Sequence, residues 1–436
     1  MMTSENSLEQ VYVWIWLPGA TEPVVAGVLS RDNGRFIFNY GRSYLERKEA
    51  IAVYVPELPL VRGAIVPAPG LQMAGALRDG APDAWGRRVI LNRLMGAQGR
   101  DTDPNTLDEM TYLLESGSDR IGGLDFQRSA TEYVPRAARG ASLEELMQAA
   151  SMVENGIPLT VDLEQALFHG TSLGGARPKA MIEFGNRKFI AKFSSSTDTY
   201  NVVKGEYIAM RLAGCVGLNV APVLFRHTAG KDVLLIERFD RVQSKTGWQR
   251  RLMVSALTIF GLDEMMARYA SYEDLADIIR QRFSAPKETL RELFGRLVFN
   301  IICGNTDDHA RNHAAFWDGK RLSLTPAYDI CPQGRAGNEA TQAMLIVGEN
   351  RMSNLAVCLS AADRFLLSRR EAIELIAHYL DTVHMNWKAL GDEVGLSEVD
   401  RKLFWGRMFF NPFIFEGAPE EILRLRKIGR ASCRER

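Results

Sequence analysis

The stretch that most limits what this chain can become runs from Phe299 to Phe316 and reads FNIICGNTDDHARNHAAF. Leu297 to Cys303 is apolar and can bury itself as a helix end or as a strand; Gly304 and Asn305 then break it. The polar residues that follow are therefore held at the end of a buried support. Asp307 and Asn312 lie five residues apart, and Asp329 follows in LTPAYDI, residues 324–330, beyond a hairpin with Asp318 and Gly319 at its turn. Such a layout suits phosphoryl transfer. One carboxylate can orient and deprotonate a hydroxyl acceptor, while an amide oxygen and a second carboxylate bind the magnesium ions that neutralise the transferring phosphate. The same residue types also serve as ordinary turn and cap residues, because their short side chains bond nearby backbone. The rest of the chain has to decide.

At 436 residues the chain is long for a single core, so two or three domains are expected, and 46% hydrophobic residues suffice to fill them. Lys plus Arg equals Asp plus Glu at 53 each, which removes any global basic field for nucleic acid or an anionic membrane. The five cysteines, at 215, 303, 331, 358 and 433, are scattered and without CxxC spacing. That pattern points to structural thiols in a reducing cytosol and away from zinc. The start, MMTSENSLEQ, lacks the basic-then-apolar pattern of a secretory signal, and no segment approaches the roughly 20 apolar residues of a membrane span. A cytoplasmic protein is expected.

From Val11 to about Val55 the pattern is β, with AspAsnGly at 32–34 as a turn; helical spacing follows from Pro82 to Leu94 and from Thr106 to Glu115. Residues 129–141 read as a connection, and Ser142 with Glu145 makes a capping box for a helix ending near Asn155. A Gly-rich segment then precedes two short strands joined by a turn at 185–187. Gly174 and Gly175 permit a backbone nest for phosphates, Lys179 adds a cation, and Lys192 sits in the second strand where it needs an anionic partner. Glu206, on a helix from Val202 to Ala213 capped by Asn201, can supply that partner. The bland alternatives are a glycine turn, an edge lysine and an exposed helix glutamate.

Val233 to Phe239 reads as a strand running into a polar connection, and Glu237 to Phe239 is the candidate hinge whose backbone faces an adenine edge. Helical segments follow at Ser271–Gln281 and Lys287–Phe299. The expected organisation is an accessory domain at 1–128, a small lobe at 129–240, a helical catalytic lobe at 241–426 and a non-native tail at 427–436. The fold class is α+β: a two-lobed, protein-kinase-like fold with a β-rich N-terminal accessory domain and a helical C-terminal lobe.

SLGGARPKA (172–180), LIERFDR (235–241), GNTDDHARN (304–312) and PAYDI (326–330) together resemble the HipA family of serine/threonine kinases, toxins of bacterial toxin–antitoxin pairs. The resemblance covers roughly residues 10 to 390. It implies ATP and Mg2+ as cofactors, with Asp307 as catalytic base and Asn312 and Asp329 as metal ligands. It further implies Gly174, Gly175, Ala176, Arg177 and Lys179 as the phosphate loop, Lys192 on the phosphates, and Glu237 and Phe239 on the adenine side. His309 and Tyr328 match nucleotide-contacting positions, and Ser172 an autophosphorylated serine. The partners implied are a protein substrate such as an aminoacyl-tRNA synthetase and a small HipB-type antitoxin, with DNA engaged only through the antitoxin and no membrane. Asp308 departs from a position that is often glycine; it would either raise the apparent pKa of the Asp307 pair or point to solvent.

Three other readings compete. His309 and His313, four apart and preceded by Asp307 and Asp308, are compatible with a metal-dependent hydrolase, which would leave the glycine loop and Lys192 unexplained. A nucleotide-binding regulator of a DNA-bound antitoxin complex would keep the motifs without kinase activity. A small-molecule kinase of related fold would use the same residues on another acceptor.

Overall fold

Aromatic and β-branched residues put the start of the chain into strands: β1 (Gln10–Ile15), β2 (Val24–Asp32) and β3 (Arg35–Tyr40). Asn33 and Gly34, both with positive φ, close the two-residue β2–β3 hairpin, as the sequence anticipates. The computed structural model describes residues 9–136, 140–167, 175–195, 197–335 and 337–425. The chain groups into two units. One holds Met1–Thr197, Arg226–Val254 and Phe316–Lys320, the other Asp198–Phe225, Ser255–Ala315 and Arg321–Arg436. Both contain α and β structure. No helix among the described residues is long and apolar enough to cross a membrane.

The first unit carries two antiparallel sheets. In one, the order β3-β2-β1-β4 places the fully buried strand β4 (Leu124–Gln127) against β1, with Tyr12 opposite Gln127. The other consists of β5 (Lys179–Phe184), β6 (Arg187–Phe193), β7 (Val223–Thr228) and β8 (Lys231–Glu237), in the order β5-β6-β8-β7. Helices Ala84–Met95, Glu109–Glu115 and Leu143–Glu154 belong to this unit. The last has the Ser142–Glu145 capping box and ends at Asn155. Pro104 opens a separate 3-10 turn, and Asp108 caps the helix that follows.

The segment after β8 differs from the open polar connection expected there. Arg241–Ser244 and Gly247–Arg250 form a two-stranded ribbon. Arg238, Asp240 and Arg241 are all buried. Asp119 takes ion pairs from Arg238 (3.1 Å), Arg241 (2.7 Å) and Lys188 (2.9 Å), and Asp240 takes them from Arg238 (2.7 Å) and Arg241 (2.8 Å). Gly122 adds a backbone N–H to Asp240 at 2.7 Å. Beside this knot, Asp125 on β4 binds Arg120 and Arg136, each at 2.8 Å. Charges so deep are tolerable only because every carboxylate meets several donors.

In the second unit one helix, Pro286–Cys303, is buried all round from Leu293 to Cys303, the pattern of a central pillar. Around it stand Val202–Cys215, capped by Asn201, Tyr272–Arg282, capped by Ser271, and Arg369–Glu393. A Ser368–Glu371 capping box fixes the beginning of that last helix, and Ala362–Phe365 is a 3-10 turn.

Burial pushes the Asp119 carboxyl up, but Arg238, Arg241, Lys188 and Arg250 outweigh it and hold it well below the usual carboxylate range. The stabilisation is therefore complete above the unfolded-chain pKa of about 4 and is lost as pH falls through the lower folded value. Asp119→Asn should lower stability at pH 7 by about 3 kcal/mol. Urea unfolding across pH should show the gap to wild type closing at acid pH; a gap constant with pH would contradict the pairing.

Candidate active site

The pillar helix ends at Gly304, whose φ of 76° is left-handed. A Cβ there would lie 2.6 Å from the Met408 carbonyl oxygen, so glycine is required twice over. The chain then turns through Asn305, whose N–H returns to the Asn300 carbonyl at 2.8 Å. Residues Ala310–Asn312 form a short 3-10 turn. The Asn312 side-chain N–H donates to the Asp307 carbonyl at 3.0 Å, and the His309 N–H donates to the same carbonyl at 2.9 Å. These bonds fix the amide plane of Asn312 and hold the backbone of Asp307, which is exposed.

Asp329 lies in the same electrostatic neighbourhood. Partial desolvation pushes the Asp307 carboxyl up, His309 opposes this, and Asp329 and then Asp308 add repulsion. The backbone of Asp329 has a φ of 59°, a left-handed conformation that costs a non-glycine residue energy and often marks a functional position. Its approach is pinned by mutual bonds of Ala327 with Asn219 (2.7 Å) and Ala221 (2.9 Å), and Tyr328 donates its hydroxyl to the Arg311 carbonyl at 2.7 Å. His309 keeps a buried Nδ1 without a hydrogen-bond partner in the chain.

Asp308 neither points to solvent nor acts chiefly on Asp307. It is 2% exposed and receives the Tyr272 hydroxyl and, at 3.0 Å, the His313 Nε2–H. Burial pushes its carboxyl up, but His313, Tyr272 and Asn300 more than compensate and hold it below the usual range. His313 thus serves Asp308. It stands in extended backbone after the 3-10 turn and shares no helix face with His309. Among the described residues no group of three His, Cys, Asp or Glu side chains is placed to hold a metal, which removes the support for the hydrolase reading.

The first unit contributes a different chemistry. Lys179 and Lys192 are cross-strand partners in β5 and β6, and both are buried. Directly opposed residues of an antiparallel pair project to one face, so two ammonium groups are placed side by side, an arrangement that favours anionic charge. Gly175 has a φ of 87°, and a Cβ there would sit 2.5 Å from the Lys179 Nζ. Its N–H donates to Asp83 at 2.8 Å and its carbonyl accepts from Trp85 at 3.1 Å, so this part of the glycine loop is anchored to the helix starting at Ala84. Ala176 and Arg177 follow in the bend before β5. Ser172 and Gly174 lie outside the described residues.

In the expected hinge, Glu237 forms an ion pair with Arg187 across the sheet, and the Arg238 N–H is taken by the Lys188 carbonyl at 2.9 Å. Phe239 packs edge-on to Phe316 with centroids 6.0 Å apart. Glu206 is buried on its helix and belongs to the second unit, whereas Lys192 belongs to the first.

The profile of the HipA-like C-terminal domain matches residues 171–387, and that of the HipA N-terminal domain matches residues 16–127. The chain belongs to the HipA family. The serine/threonine-protein kinase toxin HipA of Shewanella oneidensis is 26% identical over 183 residues, covering 36% of this chain and 42% of that protein. Matches of this kind span between a third and about half of the curated relatives concerned. A solved structure of Shewanella oneidensis HipA with HipB and operator DNA superposes with a TM-score of 0.63 at 18% identity, covering 97% of each chain. The α+β, kinase-like HipA fold expected from the sequence is therefore present.

HipA membership leaves the chemistry of the site to be argued from its residues. Within the second unit, the orphaned His309 Nδ1 and the oxygen donors Asn312 and Asp329 suit a hard cation such as magnesium; within the first, the paired Lys179 and Lys192 suit an anionic group. Sequence reading missed the partners Tyr272, Asn300 and His313, and gave Arg238 and Arg241 no structural task. The alternating charges of ERFDR directly after an apolar strand were the one available signal.

If Asp329 is held left-handed against its preference, Asp329→Gly should be more stable than Asp329→Ala by about 1 kcal/mol. Equal urea midpoints for the two variants would show that the backbone is not under this constraint.

Proposed function

We propose that the protein is an ATP- and magnesium-dependent serine/threonine protein kinase, and the toxin of a pair with a HipB-type antitoxin. The observation that carries this reading is the gathering of Asp307, Asn312 and Asp329 about one pinned turn in a HipA-family chain. Asp307 orients the acceptor hydroxyl and takes its proton as the oxygen–phosphorus bond forms and the bond to the leaving diphosphate breaks. Asn312 and Asp329 hold the metal. Magnesium, when bound, neutralises charge on the phosphate oxygens.

Lys179 and Lys192 contact the phosphates, with Gly174, Gly175, Ala176 and Arg177 as the adjoining loop and Glu206 orienting Lys192. Glu237 and Phe239 lie on the adenine side, and His309 and Tyr328 contact the nucleotide. The regions 1–128, 129–240 and 241–426 act as accessory domain, small lobe and catalytic lobe in this scheme. The substrate is a protein of the translation apparatus such as an aminoacyl-tRNA synthetase, met in the cytoplasm. DNA is reached only through the antitoxin, in line with the solved complex of the Shewanella oneidensis relative with HipB and operator DNA. Ser172 is an autophosphorylation site.

Asp307→Ala should abolish transfer from radiolabelled ATP while leaving nucleotide affinity within about 3-fold, whereas Asp329→Ala should also weaken magnesium-dependent binding. Equal phosphorylation by wild type and Asp307→Ala would falsify the assignment. Lys192→Met should weaken MgATP binding by about 10-fold or more, measured by calorimetry; unchanged affinity would remove Lys192 from the phosphates. Mass spectrometry after incubation with MgATP should find phosphate on Ser172 in wild type and none in Asp307→Ala.

A further inference from the structure

Beneath the turn that carries Asp307 lies a group of buried polar side chains that the proposed chemistry does not use. Tyr272, Asp308 and His313 are each no more than 2% exposed. The Asp308 carboxylate accepts the Tyr272 hydroxyl on Oδ2 and the His313 Nε2–H on Oδ1, the latter at 3.0 Å. The Tyr272 oxygen lies 3.3 Å from the same His313 nitrogen, so the three groups form a closed triangle. The triangle is tied to rigid structure on three sides. Tyr272 opens the helix Tyr272–Arg282, and its N–H is bound to the Leu345 carbonyl at 2.9 Å. His313 accepts the Ala256 N–H at 2.8 Å through its carbonyl. Asn300, on the pillar helix, adds a side-chain hydrogen bond to Asp308 and also holds the neighbouring Asn305 amide at 3.1 Å.

Asp308 is the immediate neighbour of Asp307, and His313 of Asn312. Consecutive residues in an extended or turning backbone point apart, so a side chain fastened inward at 308 directs the side chain at 307 outward. The Asn312 to Asp307 bond closes the turn from its outer side. Such a turn has no regular ladder to hold it, and an error of about 1 Å in a reacting group can cost about 100-fold in rate.

We propose that Asp308, clamped by Tyr272 and His313, is a positioning residue that holds the 307–312 turn in its reactive shape. This rests on the kinase reading for its catalytic consequence, but not for the clamp itself. The clamp acts through geometry and transfers no proton to substrate.

The test uses the full chain as wild type, Asp308→Asn, Tyr272→Phe, His313→Gln and His313→Ala. Gln retains an N–H donor near the position of Nε2; Ala does not. Hydrogen exchange of peptides covering residues 304–314 should accelerate at least about 10-fold in Asp308→Asn and His313→Ala, with the rest of the second unit unchanged. In the same variants kcat should fall about 100-fold with KM for ATP within about 2-fold, while His313→Gln recovers most of both losses. Tyr272→Phe, which keeps the ring packing, should lie between. Exchange and kcat both at wild-type values in folded Asp308→Asn overturn the proposal, as does a loss confined to KM. Exchange accelerated across the whole unit, with no rescue by His313→Gln, marks Asp308 as a general stability residue and also overturns it. Wild-type protein that fails to turn over ATP overturns the kinase reading alone, and the exchange measurement still decides whether the clamp exists.

Discussion

The second unit depends on how its buried helix stops. From Leu293 to Cys303 the helix Pro286–Cys303 is buried on every side, so its terminal carbonyls have no water to turn to and must be met by protein. Gly304 meets this by going left-handed, which sends the Asn305 N–H back to Asn300 while the Phe410 N–H, at 3.0 Å, takes the Ile302 carbonyl. A side chain at 304 would collide with the Met408 carbonyl. The exit direction of the chain is thereby fixed, and with it the place where Asp307, Asp308, His309 and Asn312 emerge. The turn after Gly304 gains its rigidity from the element it leaves, since it has almost no ladder bonds of its own.

Buried charge is handled in two contrasting ways. Around Asp119 and Asp240, and again around Asp125, arginines and carboxylates alternate so closely that each charge is met by its opposite, and the result is structural. Lys179 and Lys192 differ in kind: two like charges stand opposite each other across β5 and β6, on one face of a sheet. Two cations on one face attract anionic groups, and on that ground the pair enters the ligand-binding reading. Arg238, Asp240 and Arg241 stand one to four residues beyond β8, yet they serve the fold of the first unit.

Asp308 illustrates how one position can be read two ways. Beside a general base an extra carboxylate looks like an electrostatic liability, since repulsion raises the cost of ionising Asp307. Once its oxygens are occupied by Tyr272 and His313, its charge is largely spent inward, and its push on Asp307 ranks behind desolvation and Asp329. The turn is braced by residues outside it, Tyr272 and Asn300, as well as by His313 at its end.

Local features were legible in the sequence because short-range physics sets them. The Asn33–Gly34 hairpin, the Ser142–Glu145 box, the Asn201 cap and the glycine stop at 304 all follow from backbone conformation and side chains within four residues. So did the identity of the acidic turn, whose polar residues are packed into one short segment. Tertiary structure alone decided which of those polar groups face inward. Tyr272 reaches Asp308 across 36 positions and Arg241 reaches Asp119 across 122, distances over which periodicity carries no information. A charged residue beside a turn has the same local signature whether it ends in solvent or in a buried pair, because the difference lies in a partner brought there by the packing of other elements.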